Sequence, residues 1–422
     1  MNRFLVRGAN LPWDNPSHFE FITRDLAMSN TGNMLFKDSI IRSIMANDDD
    51  EFTLIRNSDI PRFMSEIDRV NEEYDYFVIP LANAFRDNFT SNLLNLASFV
   101  GRLRIPCVVI GVGLQDAYEP SFNNPKKFDD AAKLFCRAVL DKSVSIGVRG
   151  EITYNYLTKQ LELPKNSVDI IGCPSMQLYS GFIPPNAKDL SSLDKIATNF
   201  DNDRGGRWYS LISYIWNEYR NSIHIPQLSA ELRFLYWGEP IEGKSNTTSY
   251  SLSDKMYTEG RVISFVNTLT WIEYLQQCTF SIGTRFHGSV AAVLAGVPTI
   301  LLTHDSRTRE LAEYHNIPCV AATDMCVGND EAKTFLRLIE NTDFSLPYKV
   351  ARKNTRAYIQ FLDRNKLPCV YREDVEGLVP SDKKTAMIDY TRELLPITFV
   401  SSAEVEARLR YLHDYLRSIP AC

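Results

Sequence analysis

No stretch of the 422-residue chain approaches the ~20 consecutive apolar residues that a membrane-spanning helix needs, so no membrane span is expected. The amino end, Met1-Asn2-Arg3-Phe4-Leu5-Val6-Arg7, lacks the extended apolar core of a secretory leader. A cytoplasmic location is therefore expected, with peripheral contact to a membrane left open, and the sequons at Asn88-Phe89-Thr90 and Asn246-Thr247-Thr248 read as chance. Lys and Arg never gather into a run. Lys126-Lys127 and Lys383-Lys384 are only doublets, and with a net charge of −6 the chain is not expected to bind nucleic acid. None of the eight cysteines (Cys107, Cys136, Cys173, Cys278, Cys319, Cys326, Cys369 and Cys422) forms a CxxC pair. Several sit in apolar runs such as Pro106-Cys107-Val108-Val109, which points to buried reduced thiols rather than a disulfide framework or a zinc site. No metal-ligand cluster, internal repeat or low-complexity tract stands out.

What the chain does contain is globular: 44% apolar and 23% charged residues. Its length predicts two domains. Strand-like and helix-like segments alternate through the first half. Helices are predicted at Asn33–Met45, Ser91–Arg102, Asp129–Leu140 and Glu151–Lys159, and strands at Tyr76–Leu81, Ile105–Ile110, Val144–Val148 and Val168–Gly172. Repeated units of this length imply an α/β fold with a parallel sheet covered on both faces. The pattern lapses from about 176 to 205, read as a junction between domains. Strands are then predicted at Tyr209–Tyr214, Leu232–Trp237 and Val262–Phe265, with a helix at Trp271–Gln277 and a polar loop over Glu239–Glu259. Lys353–Arg364 and Ala403–Arg417 read as amphipathic helices. The expected division is 1–178, 206–350, and terminal helices over 351–422 that pack back on the first domain.

The most informative segment runs from Ser281 to Leu302: strand end, polar turn, small-residue helix, Gly296 stop, second buried strand. Its turn, Gly283-Thr284-Arg285-Phe286-His287-Gly288, places a fixed cation two residues from an imidazole, just before a helix N-terminus whose free amides favour an anion. The next strand ends in a second polar loop, Thr303-His304-Asp305-Ser306-Arg307-Thr308-Arg309-Glu310. In open parallel sheets, binding groups gather at the carboxyl ends of strands. An anionic substrate handled by acid–base chemistry is the reading these residues favour.

The turn, together with Ala295-Gly296-Val297-Pro298 and the Asp305-x-Arg307 loop before Glu310-Leu311, resembles the polysaccharide pyruvyl transferase family. Asn30-Thr31-Gly32-Asn33 resembles that family's N-x-G-[DN] opening, and Val148-Arg149-Gly150-Glu151-Ile152-Thr153 its arginine-bearing V-R-[DG]-E-x-[ST] segment. Ile171-Gly172-Cys173-Pro174-Ser175 resembles its G-D-P-[SA] turn, with Cys173 in place of Asp. Arg307 stands where Lys is common, and Ile79-Pro80-Leu81-Ala82-Asn83 replaces a glycine-rich loop. The matches cover residues 28 to 320 in the expected order.

The resemblance implies two Rossmann-like domains facing across a cleft, similar to the glycosyltransferase B architecture, with the acceptor on the N-terminal side. It also implies transfer of a pyruvyl group from phosphoenolpyruvate, the donor substrate, to two hydroxyls of a hexose in a glycan or its precursor. The product is a cyclic ketal and no cofactor is needed. Phosphoenolpyruvate carries a carboxylate and a phosphate, so Arg285 and Arg149 are expected to bind its two anionic groups, with Arg307 as a third cation. His287 is expected to exchange the proton, or else to bind phosphate as an imidazolium. His304 is a secondary candidate. Gly283, Gly288 and Gly32 would allow close backbone approach or positive φ. Asn30 and Asn33 would cap the first helix or bond sugar hydroxyls, and Asn83 is a further substrate-binding candidate. The aromatics Trp208, Tyr209, Tyr214, Trp216, Tyr219, Tyr236 and Trp237 are expected mainly in the core, some of them against a sugar face. The saccharide acceptor is a partner whose carrier, lipid-linked or otherwise, stays open. A nucleotide-sugar glycosyltransferase of the same architecture and a non-catalytic glycan-binding protein are the alternatives.

Overall fold

The computed structural model describes residues 1–179, 190, 193–200, 208–241, 251–321, 330–371 and 379–418. Eleven strands are assigned among them: β1 (Arg3–Arg7), β2 (Glu51–Ile55), β3 (Tyr76–Pro80), β4 (Cys107–Ile110), β5 (Ile146–Val148), β6 (Val168–Ile170), β7 (Ile196–Asn199), β8 (Ile223–His224), β9 (Phe280–Gly283), β10 (Thr299–Thr303) and β11 (Cys319–Ala321). Every ladder pairing is parallel. The first sheet runs β2-β1-β3-β4. The β5-β6 pair continues it, because the Gly147 carbonyl accepts the Gly111 and Val112 amides at 2.9 and 3.1 Å. The second sheet runs β11-β10-β9-β7-β8. Counted from its own first strand, its order is 2-1-3-4-5, the order in which the first sheet also begins. The fold is thus two doubly wound parallel sheets, which is the α/β class expected.

Parallel strands covered on both faces must be apolar along their length rather than alternating. The cores of β1 (Phe4, Leu5, Val6) and of β4 obey this, with no exposure at any of those positions. The crossover from β1 to β2 is the helix Gly32–Ile44, whose Leu35, Ile40, Ile41 and Ile44 lie against the sheet with no exposure. Each such side chain contributes roughly 1.5–3 kcal/mol on leaving water. Among the described residues no helix is long and apolar enough to cross a membrane.

Several expected elements differ. Tyr209–Tyr214 and Leu232–Trp237 are helices, not strands. Trp208, Leu211, Ile212 and Ile215 recur at helical spacing and bury one stripe against Phe280 and Phe335. Ser229–Trp237 is started by the Glu231 carboxylate, which accepts the Gln227 and Leu228 amides, and stopped by left-handed Gly238. Val262–Phe265 forms no strand; it makes single bridges to His224 and Leu394. The expected junction at 176–205 contains β7, an inner strand. Helix Glu151–Asn155 loosens into a wider π turn through Gln160. Of the cysteines, Cys107, Cys136, Cys173, Cys278 and Cys369 are buried and in no disulfide among the described residues, whereas Cys319 is exposed; Cys326, Cys422 and the second sequon at Asn246 lie outside the described residues.

The helix Leu346–Arg364 touches layers of both sheets. Tyr358 Oη lies 2.8 Å from Ser43 Oγ, and Arg364 pairs with Asp169 at 2.8 Å. Asn354 donates to the Tyr314 carbonyl at 3.1 Å. Helix Ser402–Ser418 packs on Ser229–Trp237, its Arg408 carbonyl accepting from Trp237 Nε1 at 3.2 Å.

Candidate active site

The carboxyl ends of both sheets open on one cavity of about 680 Å³. Arg7 ends β1, Arg56 follows β2, Ala82 and Asn83 follow β3, Arg149 follows β5, Arg285 follows β9, and His304 and Arg307 follow β10. Seven Arg and Lys side chains line the cavity against one carboxylate, Asp25. In a chain of net charge −6 this is a strong local inversion of sign.

The second-sheet wall is held firmly. The Asn199 carbonyl at the end of β7 accepts the Thr284 and Arg285 amides, both at 3.1 Å, and its side chain accepts the latter as well at 3.2 Å. A Cβ on Gly283 or Gly288 would collide with Asn199, so these two glycines serve close packing. Gly32 does the same for His287, whose Nδ1 would stand 2.5 Å from an added Cβ. None of the three has positive φ or lines the cavity, which corrects their expected place on the substrate. Arg285 itself lies 3.6 Å from the buried Glu231 carboxylate.

Arg149 is handled differently. It has no exposure, its Nε donates to the Gly111 carbonyl at 2.9 Å, and its Cζ lies 5.3 Å from the Phe36 ring centroid. Nη1 and Nη2 are buried with no hydrogen-bond partner among the described residues. Burial pushes this guanidinium down to about 10, with a smaller push from Arg307. Arg307 lies in the first turn of the helix Ser306–His315, and its Nη2 is 3.4 Å from Asp305, the N-cap residue. Asp305, although buried, is held down to about 2 by Arg307 and His304. His304 Nε2 lies 3.7 Å from the same carboxylate, which fixes the ring at the cavity wall.

His287 lies between these groups, 8% exposed, with Nε2 3.6 Å from Cys173 Sγ. Burial, then Arg149 and Arg307, hold it well below the ordinary imidazole range. An imidazole trading protons near neutrality was expected; burial, and then the two cations that face it, favour the neutral ring instead. Cys173 stays in place because its amide donates to His315 Nε2 at 2.7 Å. Burial pushes its thiol up.

On the first-sheet side, Asn30, Asn33 and Asn83 all line the cavity. Each also has a local task. Asn30 Oδ1 accepts the Gly32 amide at 2.8 Å, Asn33 Nδ2 donates to the Met28 carbonyl at 2.9 Å, and Asn83 Nδ2 donates to Gln115 at 2.7 Å. The sequence reading missed Arg7, Arg56 and Arg86 in the wall, and Asn199 and Glu231 behind it. The strand-end rule would have found Arg7 and Arg56 had β1 and β2 been recognised. Of the named aromatics, Trp208, Tyr214, Trp216, Tyr219, Tyr236 and Trp237 lie off the cavity, and Phe36 and Phe89 line it instead. Among the described residues no group of three or more His, Cys, Asp or Glu side chains could hold a metal.

Residues 30–306 match the family model for polysaccharide pyruvyl transferase, and the chain belongs to that family. No curated protein matches the chain. Solved structures similar to it include UDP-GlcNAc 2-epimerase from Methanocaldococcus jannaschii in complex with UDP-GlcNAc and UDP. That pair has 14% identity and a TM-score of 0.46, covering 86% of this chain and 99% of that one. The Neisseria meningitidis UDP-GlcNAc 2-epimerase bound to UDP-GlcNAc is similar at 12% identity and TM-score 0.45, covering 86% and 100%. Anabaena HepE in complex with UDP and glucose gives 12% and 0.42, covering 87% and 98%. Likeness this distant transfers neither ligand nor reaction.

Proposed function

We propose that this member of the polysaccharide pyruvyl transferase family moves the pyruvyl group of phosphoenolpyruvate onto two hydroxyls of a hexose, forming a cyclic ketal and releasing phosphate. One observation carries the reading: Arg149 is wholly buried with Nη1 and Nη2 bare, beside Arg307 and His287. A buried, unpaired guanidinium costs several kcal/mol in desolvation, a cost met when an anion binds. A compact trianion whose carboxylate and phosphate diverge from one carbon suits several guanidiniums that converge from different strands.

The bound trianion offsets the field of Arg149 and Arg307 at His287 and, by its own charge, works against the effect of burial, so that the imidazole takes up a proton. That proton passes to the methylene carbon, leaving an oxocarbenium centre at C2. A sugar hydroxyl adds to C2 and loses its proton. The bond from C2 to the phosphate oxygen then breaks, and phosphate departs with the electron pair. The second hydroxyl adds to the regenerated centre and loses its proton, closing the ketal. A positioned acid of this kind supplies about 10²–10⁴ in rate.

The test is incubation with phosphoenolpyruvate and a panel of hexose acceptors, following phosphate release and the mass gain of a pyruvate ketal. His287→Ala and Arg149→Ala are expected to remain folded and make no ketal; normal yield from both would sink the proposal. Calorimetry in buffers of different ionisation enthalpy is expected to show proton uptake when phosphoenolpyruvate binds. His287→Ala should abolish that uptake. Binding of a nucleotide sugar with no thermal shift from phosphoenolpyruvate would favour a glycosyltransferase instead.

A further inference from the structure

We infer a second anion subsite at the carboxyl edge of the first sheet, built by Arg7 and Arg86 around Phe89, which takes a phosphate or diphosphate carried by the sugar acceptor. Calling that ligand an acceptor rests on the function proposed above; the anion subsite itself does not.

Arg7 is positioned by two bonds, Nε to Asn57 Oδ1 at 2.9 Å and Nη1 to the Pro80 carbonyl at 3.0 Å. Its Nη2 has no partner among the described residues. The Arg86 guanidinium makes no hydrogen bond or ion pair among those residues, and its Nε is buried. Both guanidiniums lie over one ring, with Cζ at 5.7 Å (Arg7) and 5.8 Å (Arg86) from the Phe89 centroid. Both line the cavity, as does Arg56.

Two half-buried cations on a shared ring, with no carboxylate between them, are poor stabilisers of a fold. Burial and then Arg86 push the Arg7 guanidinium down to about 10, and burial and then Arg307 push that of Arg86 down. Such pairs belong to sites awaiting a counter-charge. Their place in the fold agrees. β1 and β3 are neighbours in the first sheet although β2 lies between them in sequence. Arg7 and the loop bearing Arg86 leave the ends of those two strands, at the point where doubly wound sheets part their loops and bind ligands. Arg149 leaves a different strand, β5. A neutral hexose would leave Arg7 and Arg86 repelling each other. A phosphorylated sugar neutralises them and brings its hydroxyls into the cavity shared with His287. Nucleotide and lipid carriers both present this group.

The experiment is calorimetric titration of the full chain with inorganic pyrophosphate, uridine diphosphate, farnesyl diphosphate and phosphoenolpyruvate. Arg86→Gln is expected to weaken pyrophosphate at least ~10-fold and to change phosphoenolpyruvate by less than ~3-fold. Arg149→Gln is expected to do the reverse. Arg7→Gln should match Arg86→Gln, which loses no internal bond and so remains informative if the former misfolds. Tighter binding of uridine diphosphate than of pyrophosphate supports the subsite with a nucleotide carrier, and tighter farnesyl diphosphate supports it with a lipid carrier. Pyrophosphate binding unchanged in Arg86→Gln overturns the inference, as does equal weakening of phosphoenolpyruvate by Arg86→Gln and Arg149→Gln. If the wild-type chain binds pyrophosphate but not phosphoenolpyruvate, the proposed transfer fails and the subsite stands.

Discussion

The two sheets begin with the same strand order and face one cavity, yet they hold their cations in opposite ways. On the second sheet Arg285 has Glu231 at 3.6 Å and Arg307 has Asp305 at 3.4 Å, with Asn199 pinning the turn behind them. On the first sheet Arg149 and Arg86 have no carboxylate partner among the described residues. The paired cations are placed by the protein before any ligand arrives. The bare ones hold charge in reserve, so one edge supplies geometry and the other supplies most of the attraction.

The sharpest way to break this contrast is to replace one cation from each side by methionine. Arg149→Met and Arg285→Met should each lower phosphate release on the order of 10³-fold. Their stabilities should part: Arg149→Met removes an unpaired buried charge and should raise the melting temperature, whereas Arg285→Met removes the cation that faces the buried Glu231 and should lower it. Equal shifts would mean that the two edges are not different in kind.

The seam between the sheets gives the next largest effect. Glu310, on the helix after β10, accepts from the Thr153 amide at 2.9 Å and the Thr153 hydroxyl at 2.6 Å, across to the helix after β5. Burial raises its carboxyl to about 7. Between the unfolded value near 4.5 and about 7 the native state keeps a proton that the unfolded chain gives up, so stability falls as pH rises through that window. Glu310→Gln should flatten this slope, removing up to about 3 kcal/mol of pH dependence, as denaturant titrations at pH 5 and pH 8 would show. An unchanged slope would place the titration elsewhere.

Smallest should be the loss of amide side chains. Asn199→Ala removes an acceptor from the pinned turn and should cost about 1–3 kcal/mol in chemical denaturation. Asn83→Ala removes a group whose Oδ1 is already buried without a partner and should cost less. If the two are equal, the second edge is no stiffer than the first.

Much of this was readable from the chain. Long apolar periods gave the helices after β1, β3 and β4 nearly to the residue, and the strand-end rule picked out Arg149, Arg285, His287, His304 and Arg307, all of which line the one cavity. Short inner strands escaped. β7 is four residues in a stretch that reads as linker, and β1 and β2 are five residues each, next to polar segments. Arg7 escaped with them, since an isolated arginine carries no pattern until its strand is known; Arg86 was missed although its strand, β3, was predicted, because it stands six residues beyond the strand's end. Tyr209–Glu218 and Ser229–Trp237 were misread because aromatic, β-favouring residues occupy positions that a helix also buries. His287 showed its type in the sequence but not its charge, which depends on its burial and on two guanidiniums, one of them, Arg149, more than a hundred residues away.

The reach of the helix Leu346–Arg364 bears on biosynthesis. Its Tyr358, Phe361 and Leu362 belong to the same packed interior as Phe4 and Val6 at the opposite end of the chain. The Asn365 side chain that follows it accepts the Val144 and Ser145 amides, both at 3.1 Å. During translation the amino-terminal layer must wait, one face unfinished, until residues beyond 360 have left the ribosome. A truncated product ending before that helix would expose this interior, and it is there that a chaperone would have its longest hold.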